Sequence, residues 1–155
     1  MKIAIGSDHA GVDLKRVLAD LLIQQGHSVD DVGTHSRVAV DYPDFADLVC
    51  RKIHGFSLVQ ESSTLSMPAE IGILICGSGQ GMVMRANKFA HIRAALCWTP
   101  ELARLSREHN DANVLCLGSR VTANDVCKQI VQIFLTTPFA GGRHARRVAK
   151  VSTPV

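Results

Sequence analysis

A single cysteine ends an apolar run and directly precedes a glycine-rich loop. Residues 73–81 read Ile-Leu-Ile-Cys-Gly-Ser-Gly-Gln-Gly, which places the Cys76 thiol at the rim of a predicted buried strand. Glycines let the main chain approach a ligand closely, and a helix predicted over Met82–Phe89 directs its N-terminus at the same point. A thiol beside free backbone amides is suited to catalysis on an anionic substrate or intermediate.

The loop alone also fits two other interpretations. Buried cysteines are usually inert small hydrophobic residues, and glycine turns commonly follow buried strands, so a packing turn fits equally well. A nucleotide-binding loop fits less well, because no Lys-Ser/Thr pair closes the loop and the spacing is G-x-G-x-G rather than G-x-G-x-x-G. The remaining polar clusters must decide between these interpretations.

Two such clusters contain a histidine. Asp8 and His9 follow the first predicted strand, at the edge where parallel sheets bind ligands. Alternatively, Asp8 caps the next helix and His9 is a first-turn residue. His109 lies in the polar segment 108–113 and could act as an acid or base near neutral pH, although an ordinary helix-ending turn has the same composition.

Cationic side chains are concentrated towards the C-terminus. This group consists of Arg120, Arg143, His144, Arg146 and Arg147. Guanidinium groups suit a phosphate, but the same residues would be ordinary surface charge if no anion site lay nearby. Their interpretation therefore depends on the glycine loop.

The composition limits the classes of function. The chain has 155 residues, is 46% hydrophobic and carries a net charge of +3, which suits one domain with one core. The seven aromatic residues do not interleave with basic ones, so nucleic-acid binding is not expected. No apolar segment approaches the roughly 20 residues of a membrane span.

The cysteines indicate a reducing compartment. They are odd in number, form no C-x-x-C pair and lie mostly in apolar runs: Cys50, Cys76, Cys97, Cys116 and Cys127. The N-terminus enters an apolar strand pattern without an apolar signal region. We therefore expect a soluble cytoplasmic protein.

Apolar runs alternate with helix-length segments, which predicts a parallel α/β sheet. The predicted strands are Lys2–Gly6, Ser28–Val32, Ile71–Cys76, Arg93–Cys97 and Val114–Leu117. The other predicted helices are Gly11–Gln25, Tyr42–Ile53, Thr99–Arg107 and Thr122–Leu135. In the second of these, Asp41 is the predicted cap, and the predicted apolar stripe is Phe45, Leu48, Val49 and Ile53.

Two segments have no clear period. Residues 54–70 are predicted to form a partly disordered surface loop inserted into a single domain spanning 1–155. The basic segment 141–155 is either a solvated tail or contains a final basic helix. No internal repeat or dividing linker is found.

Eight motifs together closely resemble the ribose-5-phosphate isomerase B family. In chain order they are GSDHAG at 6–11, DYPD at 41–44, CGSGQG at 76–81, ANKF at 86–89, IRAALC at 92–97, HNDANVL at 109–115, GSR at 118–120 and GGRH at 141–144. The match runs from residue 2 to about residue 150. Eight motifs in the family's order are far more specific than one glycine loop.

The resemblance implies a Rossmann-like three-layer α/β/α sandwich with a five-stranded parallel sheet. It implies an enzyme that interconverts ribose 5-phosphate and ribulose 5-phosphate without metal or organic cofactor. It also implies a homodimer, or a dimer of dimers, with the site at the subunit interface, so that the C-terminal arginines serve the neighbouring subunit's substrate.

The resemblance assigns roles to individual residues. Cys76 would be the base that moves a proton between C1 and C2, its thiolate favoured by nearby amides. The backbone amides of the loop, with the Ser78 side chain, would stabilise the enediolate oxygen; this loop consists of Gly77, Ser78, Gly79, Gln80 and Gly81. His109 would donate a proton to the ring oxygen during ring opening, and Asn110 would orient the substrate.

The remaining carried-over residues would bind the sugar and its phosphate. Asp8 and His9 would hold sugar hydroxyls or the ring end, and Tyr42 would line the pocket. The phosphate would be held by Arg120, Arg143 and Arg147, whereas Arg146 is an adjacent charge.

The chain resembles the cysteine branch of the family, because Met82 stands where another branch has a catalytic glutamate. Two departures are the long 54–70 loop and Met84-Arg85 in the following helix. A six-carbon sugar phosphate, such as allose 6-phosphate or galactose 6-phosphate, remains an alternative substrate. A non-catalytic sugar-phosphate or nucleotide-binding module is a further alternative, but it would need neither Cys76 nor His109.

Overall fold

The computed structural model of the chain describes residues 1–53 and 69–153. Within these residues the strands are β1 (Lys2–Ser7), β2 (Ser28–Asp31), β3 (Ile71–Cys76), β4 (Ala94–Leu96) and β5 (Val114–Gly118). The helices are α1 (Val12–Gln24), α2 (Tyr42–Lys52), α3 (Gln80–Ala86), α4 (Pro100–Asn110), α5 (Asn124–Thr136) and α6 (Arg143–Val151). All strand pairings are parallel, in the order β2-β1-β3-β5-β4.

Both faces of the sheet are buried, as a parallel sheet requires. Alternate residues of β3 serve opposite faces: Ile73 and Ile75 contact one apolar core, whereas Leu74 and Cys76 contact the other. The first core includes residues of α1, α4 and α5, and the second includes residues of α2 and α3. The predicted three-layer α/β/α sandwich with a five-stranded parallel sheet is therefore confirmed.

The register of the central strands brings three strand ends together. Ser7 at the end of β1 is opposite Ile75, and Cys76 at the end of β3 is opposite Gly118 of β5. The loops that follow these strands consequently leave the same edge of the sheet. The opposite edge receives the C-terminal end of α4, directly before β5 begins.

Two helices differ from their predicted bounds in ways that affect the polar residues. The α3 helix begins at Gln80, because Gly79 takes φ of 80° and ends the loop sharply. The α4 helix continues to Asn110, so His109 and Asn110 are helical rather than part of a turn. Asp111, with φ of 46°, ends this helix in the left-handed region.

The predicted apolar stripe of α2 is wrong at Leu48, which is 43% exposed. The buried face consists of Ala46, Val49 and Cys50, because a helix turns by about 100° per residue and residue 48 faces away from the sheet. Asp41 occupies the N-cap position, but its side chain makes no capping hydrogen bond. Arg85, one of the departures noted above, pairs bidentately with Asp47 and so links α3 to α2, with both N–O distances 2.6 Å.

The two segments without periodicity have different outcomes. Of the predicted loop, residues 54–68 lie outside the described residues, whereas Ala69 is buried and forms a parallel bridge with Ile53. The predicted surface loop is therefore wrong at Ala69, which is buried. The basic C-terminal segment forms the α6 helix, with no buried residue. No helix within the described ranges has the length and apolar character needed to cross a bilayer.

Truncation of Leu18 should test the core, with Leu48 as its matched control. We expect Leu18→Ala to lower the free energy of unfolding by about 2–5 kcal/mol, because Leu18 is fully buried between α1 and the sheet. Leu48→Ala should change it by no more than about 0.5 kcal/mol, since this side chain is exposed. Urea denaturation of both variants would measure the difference, and equal losses would contradict the assignment of the two faces.

Candidate active site

The Cys76 thiol lies at the carboxyl end of β3 and is 5% exposed as a residue. The Gly79 N–H donates a hydrogen bond to its Sγ atom over 3.1 Å. A side chain at position 79 would contact the Leu117 carbonyl oxygen at 3.2 Å and would not tolerate the positive φ, so glycine is required for this turn. The loop therefore folds a backbone donor directly onto the sulfur atom.

The loop after β1 lies against this cysteine. The Asp8 backbone N–H donates to the Ile75 carbonyl over 3.2 Å, one residue before Cys76. The Asp8 Oδ1 atom accepts hydrogen bonds from the N–H groups of Ala10, at 2.9 Å, and Gly11, at 3.3 Å. Asp8 thus stabilises the turn that leads into α1, although Gly11 is the N-cap residue of that helix.

His9 is held by a residue distant in sequence. Its Nδ1 atom accepts a hydrogen bond from the Val40 N–H over 3.2 Å. An accepting Nδ1 carries no proton, so the ring proton is on Nε2, which is left as a donor. The sequence analysis missed Val40, because a backbone amide performs this task whatever side chain it carries.

The loop after β5 joins the other two. The Ser119 hydroxyl donates to the Ala10 carbonyl at 2.8 Å and lies 3.2 Å from the Cys76 carbonyl, so it bridges the first two loops. The Arg120 N–H donates to the Gly77 carbonyl over 3.0 Å, and the Arg120 side chain lies against Gly77. Only the position of Ser119 in the GSR motif could have indicated its bridging contacts from sequence.

Tyr42, the first residue of α2, contacts the glycine loop after β3. Its ring lies over Gly81, where an added Cβ would come within 2.6 Å of the tyrosine Cε2 atom. A cavity of about 350 Å³, lined by Ser78, Gln80 and Trp98 among others, adjoins the glycine loop on the β4 side. The predicted residues grouped here, which we call the thiol cluster, are Asp8, His9, Tyr42, Cys76, Gly77, Ser78, Gly79, Gln80, Gly81 and Arg120.

The other predicted site residues form a second group at the end of α4 and the start of α6. The rings of His109 and His144 stack, with centroids 4.3 Å apart and an interplanar angle of 4°. Partial desolvation, together with the positive charges of His109, Arg143 and Arg147, lowers the pKa of His144. We call this group the histidine–arginine cluster; its members are His109, Asn110, Arg143, His144 and Arg147.

One chain does not bring the two clusters together. Asn110 lies just before β5, whereas Gly118 at the other end of β5 is opposite Cys76. The five residues of β5 span about 16 Å at about 3.3 Å per residue. The thiol and His109 therefore belong to opposite edges of the same sheet.

Burial raises the pKa of four of the five cysteines. Desolvation raises the pKa of Cys50 to about 12 and the pKa values of Cys97 and Cys127 to about 11. It raises the pKa of Cys116 well above the usual range for a thiol. All five sulfur atoms are in free thiols. Among residues 1–53 and 69–153, no group of three or more His, Cys, Asp or Glu could hold a metal ion.

The fold and the thiol cluster define an α/β protein of the class whose ligand sites lie at the carboxyl edge of a parallel sheet. A sequence model of the family described as Ribose/Galactose Isomerase matches residues 3–151. The chain belongs to this ribose/galactose isomerase family.

Individual relatives cover nearly the whole chain. Ribose-5-phosphate isomerase B of Escherichia coli is 42% identical over 151 residues, which are 97% of this chain and 94% of the relative. The solved structure of the Clostridium thermocellum ribose-5-phosphate isomerase B is 47% identical, with a TM-score of 0.89 and coverage of 98% and 95%. The Mycoplasma genitalium ribose-5-phosphate isomerase B with bound ribulose 5-phosphate is 40% identical, with a TM-score of 0.87 and coverage of 97% and 93%.

Alkylation should separate Cys76 from the other thiols. At pH 8 we expect iodoacetamide to modify Cys76 at least about tenfold faster than Cys50 or Cys127. Only thiolates react, and burial raises the pKa of Cys50 to about 12 and that of Cys127 to about 11. Peptide mass spectrometry after timed quenching would give the rates. Cys76→Ser should lack the fast phase, and equally fast labelling of Cys50 would contradict this environment.

Proposed function

We propose that the protein interconverts D-ribose 5-phosphate and D-ribulose 5-phosphate by proton transfer through an enediolate. The observation that carries this proposal is the Cys76 thiol held against the Gly79 amide inside a glycine loop. The family membership and the relatives named ribose-5-phosphate isomerase B support the same reaction. The Mycoplasma genitalium relative with bound ribulose 5-phosphate supports this choice of ligand.

Cys76 is the proposed base. Its thiolate removes the proton from C2 of the open-chain aldose, and the electron pair moves to O1 to give the enediolate. The same proton is returned to C1 while O1 gains a proton and the O2 hydroxyl loses one, so the ketose forms without net change in atoms or charge. The amides of residues 77–81 other than the Gly79 N–H, which donates to Cys76 Sγ, stabilise the oxygen on which charge develops, together with the Ser78 side chain.

The polar groups around Cys76 have proposed roles in binding. His9 presents Nε2–H as a donor, because Val40 occupies Nδ1, and so suits a sugar hydroxyl or the ring end. Asp8 lies beside it, and Tyr42 covers the glycine loop on the α2 side. Arg120 supplies a guanidinium beside Gly77 for the phosphate.

The histidine–arginine cluster serves the thiol cluster of a second copy in this proposal. His109 would protonate the ring oxygen during ring opening, Asn110 would orient the sugar, and Arg143 and Arg147 would complete the phosphate site. Because the two clusters lie at opposite edges of one sheet, each complete site requires two chains. We accordingly propose a homodimer, or a dimer of dimers, located in the cytoplasm, where five free cysteines are compatible with a reducing environment.

Turnover by Cys76 variants tests the proposed reaction. We expect Cys76→Ala to lower kcat for ribose 5-phosphate by about 10²- to 10⁴-fold, the usual contribution of a general base. Cys127→Ala is the control, since this cysteine lies in the other core, and it should keep wild-type turnover when folded. The assay would follow ribulose 5-phosphate with chelator present. Near-full activity of Cys76→Ser would exclude the proposed base.

The wild-type protein also discriminates between substrates in this assay. Faster conversion of allose 6-phosphate or galactose 6-phosphate would move the assignment to a six-carbon sugar. Stabilisation by these ligands without any conversion would identify a binding module instead.

Mixed dimers test the shared site. Cys76→Ala and His109→Ala should each be impaired alone, but a mixture refolded together should recover about a quarter of wild-type activity. Half of the dimers are mixed, and each of these contains one intact site of two. Differently tagged chains would allow the mixed species to be isolated and assayed. Failure of isolated mixed dimers to exceed either parent would contradict a site built from two chains.

A further inference from the structure

Lys15 is buried in the α1 helix, although lysine is rarely buried unless it is paired. The residue is 1% exposed, and its Nζ atom forms an ion pair with Asp31 Oδ2 at the end of β2. Neither residue belongs to the thiol cluster or to the histidine–arginine cluster. The Asp31 side chain is 26% exposed, so the pair is partly buried. Losing Asp31 would be costly because it would leave the buried Lys15 charge without compensation.

The pair fixes the start of the segment that leaves β2. The second oxygen of Asp31, Oδ1, accepts a hydrogen bond from the Gly33 N–H over 3.0 Å. Gly33 lies against the Lys15 side chain so closely that an added Cβ would be 2.8 Å from Cδ and 3.0 Å from Cε. The next residue, Thr34, donates its N–H to the Ser7 carbonyl over 3.1 Å, one residue before Asp8.

The far end of the same segment reaches the thiol cluster. Val40 donates its backbone N–H to His9 Nδ1, and Tyr42, two residues later, lies over Gly81. Between the two ends, Arg37 pairs with Asp13 of α1, but these side chains are 77% and 61% exposed, so solvent weakens that pair. His35 also pairs with Asp31 Oδ2 at 4.0 Å, but its side chain is 76% exposed. Among the described ion pairs at residues 31–41, the Lys15–Asp31 pair is thus the least exposed to solvent.

We propose that Lys15 and Asp31 are positioning residues for substrate binding. They hold residues 33–41 so that the Val40 amide fixes the His9 ring in the tautomer with Nε2–H, and so that Tyr42 stays over the glycine loop. They act through His9 and Tyr42 and do not themselves contact the substrate. The kinetic consequence rests on the proposed isomerase function, whereas the state of the His9 ring does not.

The first test is a steady-state comparison of Lys15→Met with a matched control. Lys15→Met should raise KM for ribose 5-phosphate about tenfold and leave kcat within about threefold, because a misplaced binding donor weakens ground and transition states alike. The control is Lys52→Met, which removes the exposed Lys52–Asp30 pair one residue earlier in β2. Its KM should stay within about twofold of wild type.

A double variant separates positioning from stability. Asp31→Asn leaves the Lys15 charge unpaired and should lower the thermal midpoint, whereas Lys15→Met/Asp31→Asn removes that charge and should recover most of the midpoint. If the pair positions the segment, KM of the double variant stays raised although the fold is restored. A double variant with wild-type KM and wild-type midpoint would overturn the proposal, as would a single variant that loses kcat alone.

The second test observes His9 directly. Nitrogen chemical shifts of the imidazole, assigned with His9→Gln, should report one fixed tautomer in the wild type and an average of two in folded Lys15→Met. This measurement needs no substrate, so a released tautomer supports the positioning role even if the protein fails to convert ribose 5-phosphate. A His9 ring that keeps its single tautomer in Lys15→Met would overturn it.

Discussion

The parallel register of β1, β3 and β5 is the constraint on which the rest of the structure depends. It sets Ser7 beside Ile75 and Cys76 beside Gly118, so three loops leave the sheet at one point. The Ser119 hydroxyl and the Arg120 amide then join these loops through main-chain carbonyls. A shift of one residue in any of the three strands would turn its side chains to the opposite face and separate the loops.

The same register gives Cys76 surroundings that differ from those of the other four cysteines. The two apolar cores enclose Cys50, Cys97, Cys116 and Cys127, where burial penalises a thiolate and raises the pKa of each. Cys76 is the last residue of its strand, where the glycine loop begins and an amide can turn back to the sulfur atom. The glycine loop that follows Cys76, and the amide that it turns back to the sulfur atom, therefore give this thiol its environment.

The sequence predicted the sheet and its strands well, because five apolar runs had few other possible structures. It placed Asp8 and His9 at the strand edge where Cys76 also lies, whereas Tyr42 and Arg120 were predicted there only from the family resemblance. It was wrong about Leu48, because an apolar residue can satisfy a helical spacing and still face solvent. The contact between Val40 and His9 could not be predicted, since it uses a backbone amide, which every residue except proline has.

The α4 helix has a consequence for how the chain can assemble. It returns the chain to the opposite edge of the sheet. One chain therefore has the thiol cluster at one edge and the histidine–arginine cluster at the other, and each cluster is half of the proposed site. Two chains related by a twofold axis can pair the thiol cluster of each with the histidine–arginine cluster of the other. Neither chain then keeps an unpaired cluster for a third chain. In the proposed dimer this arrangement closes the assembly at two subunits, whereas a head-to-tail arrangement of the same halves would extend it.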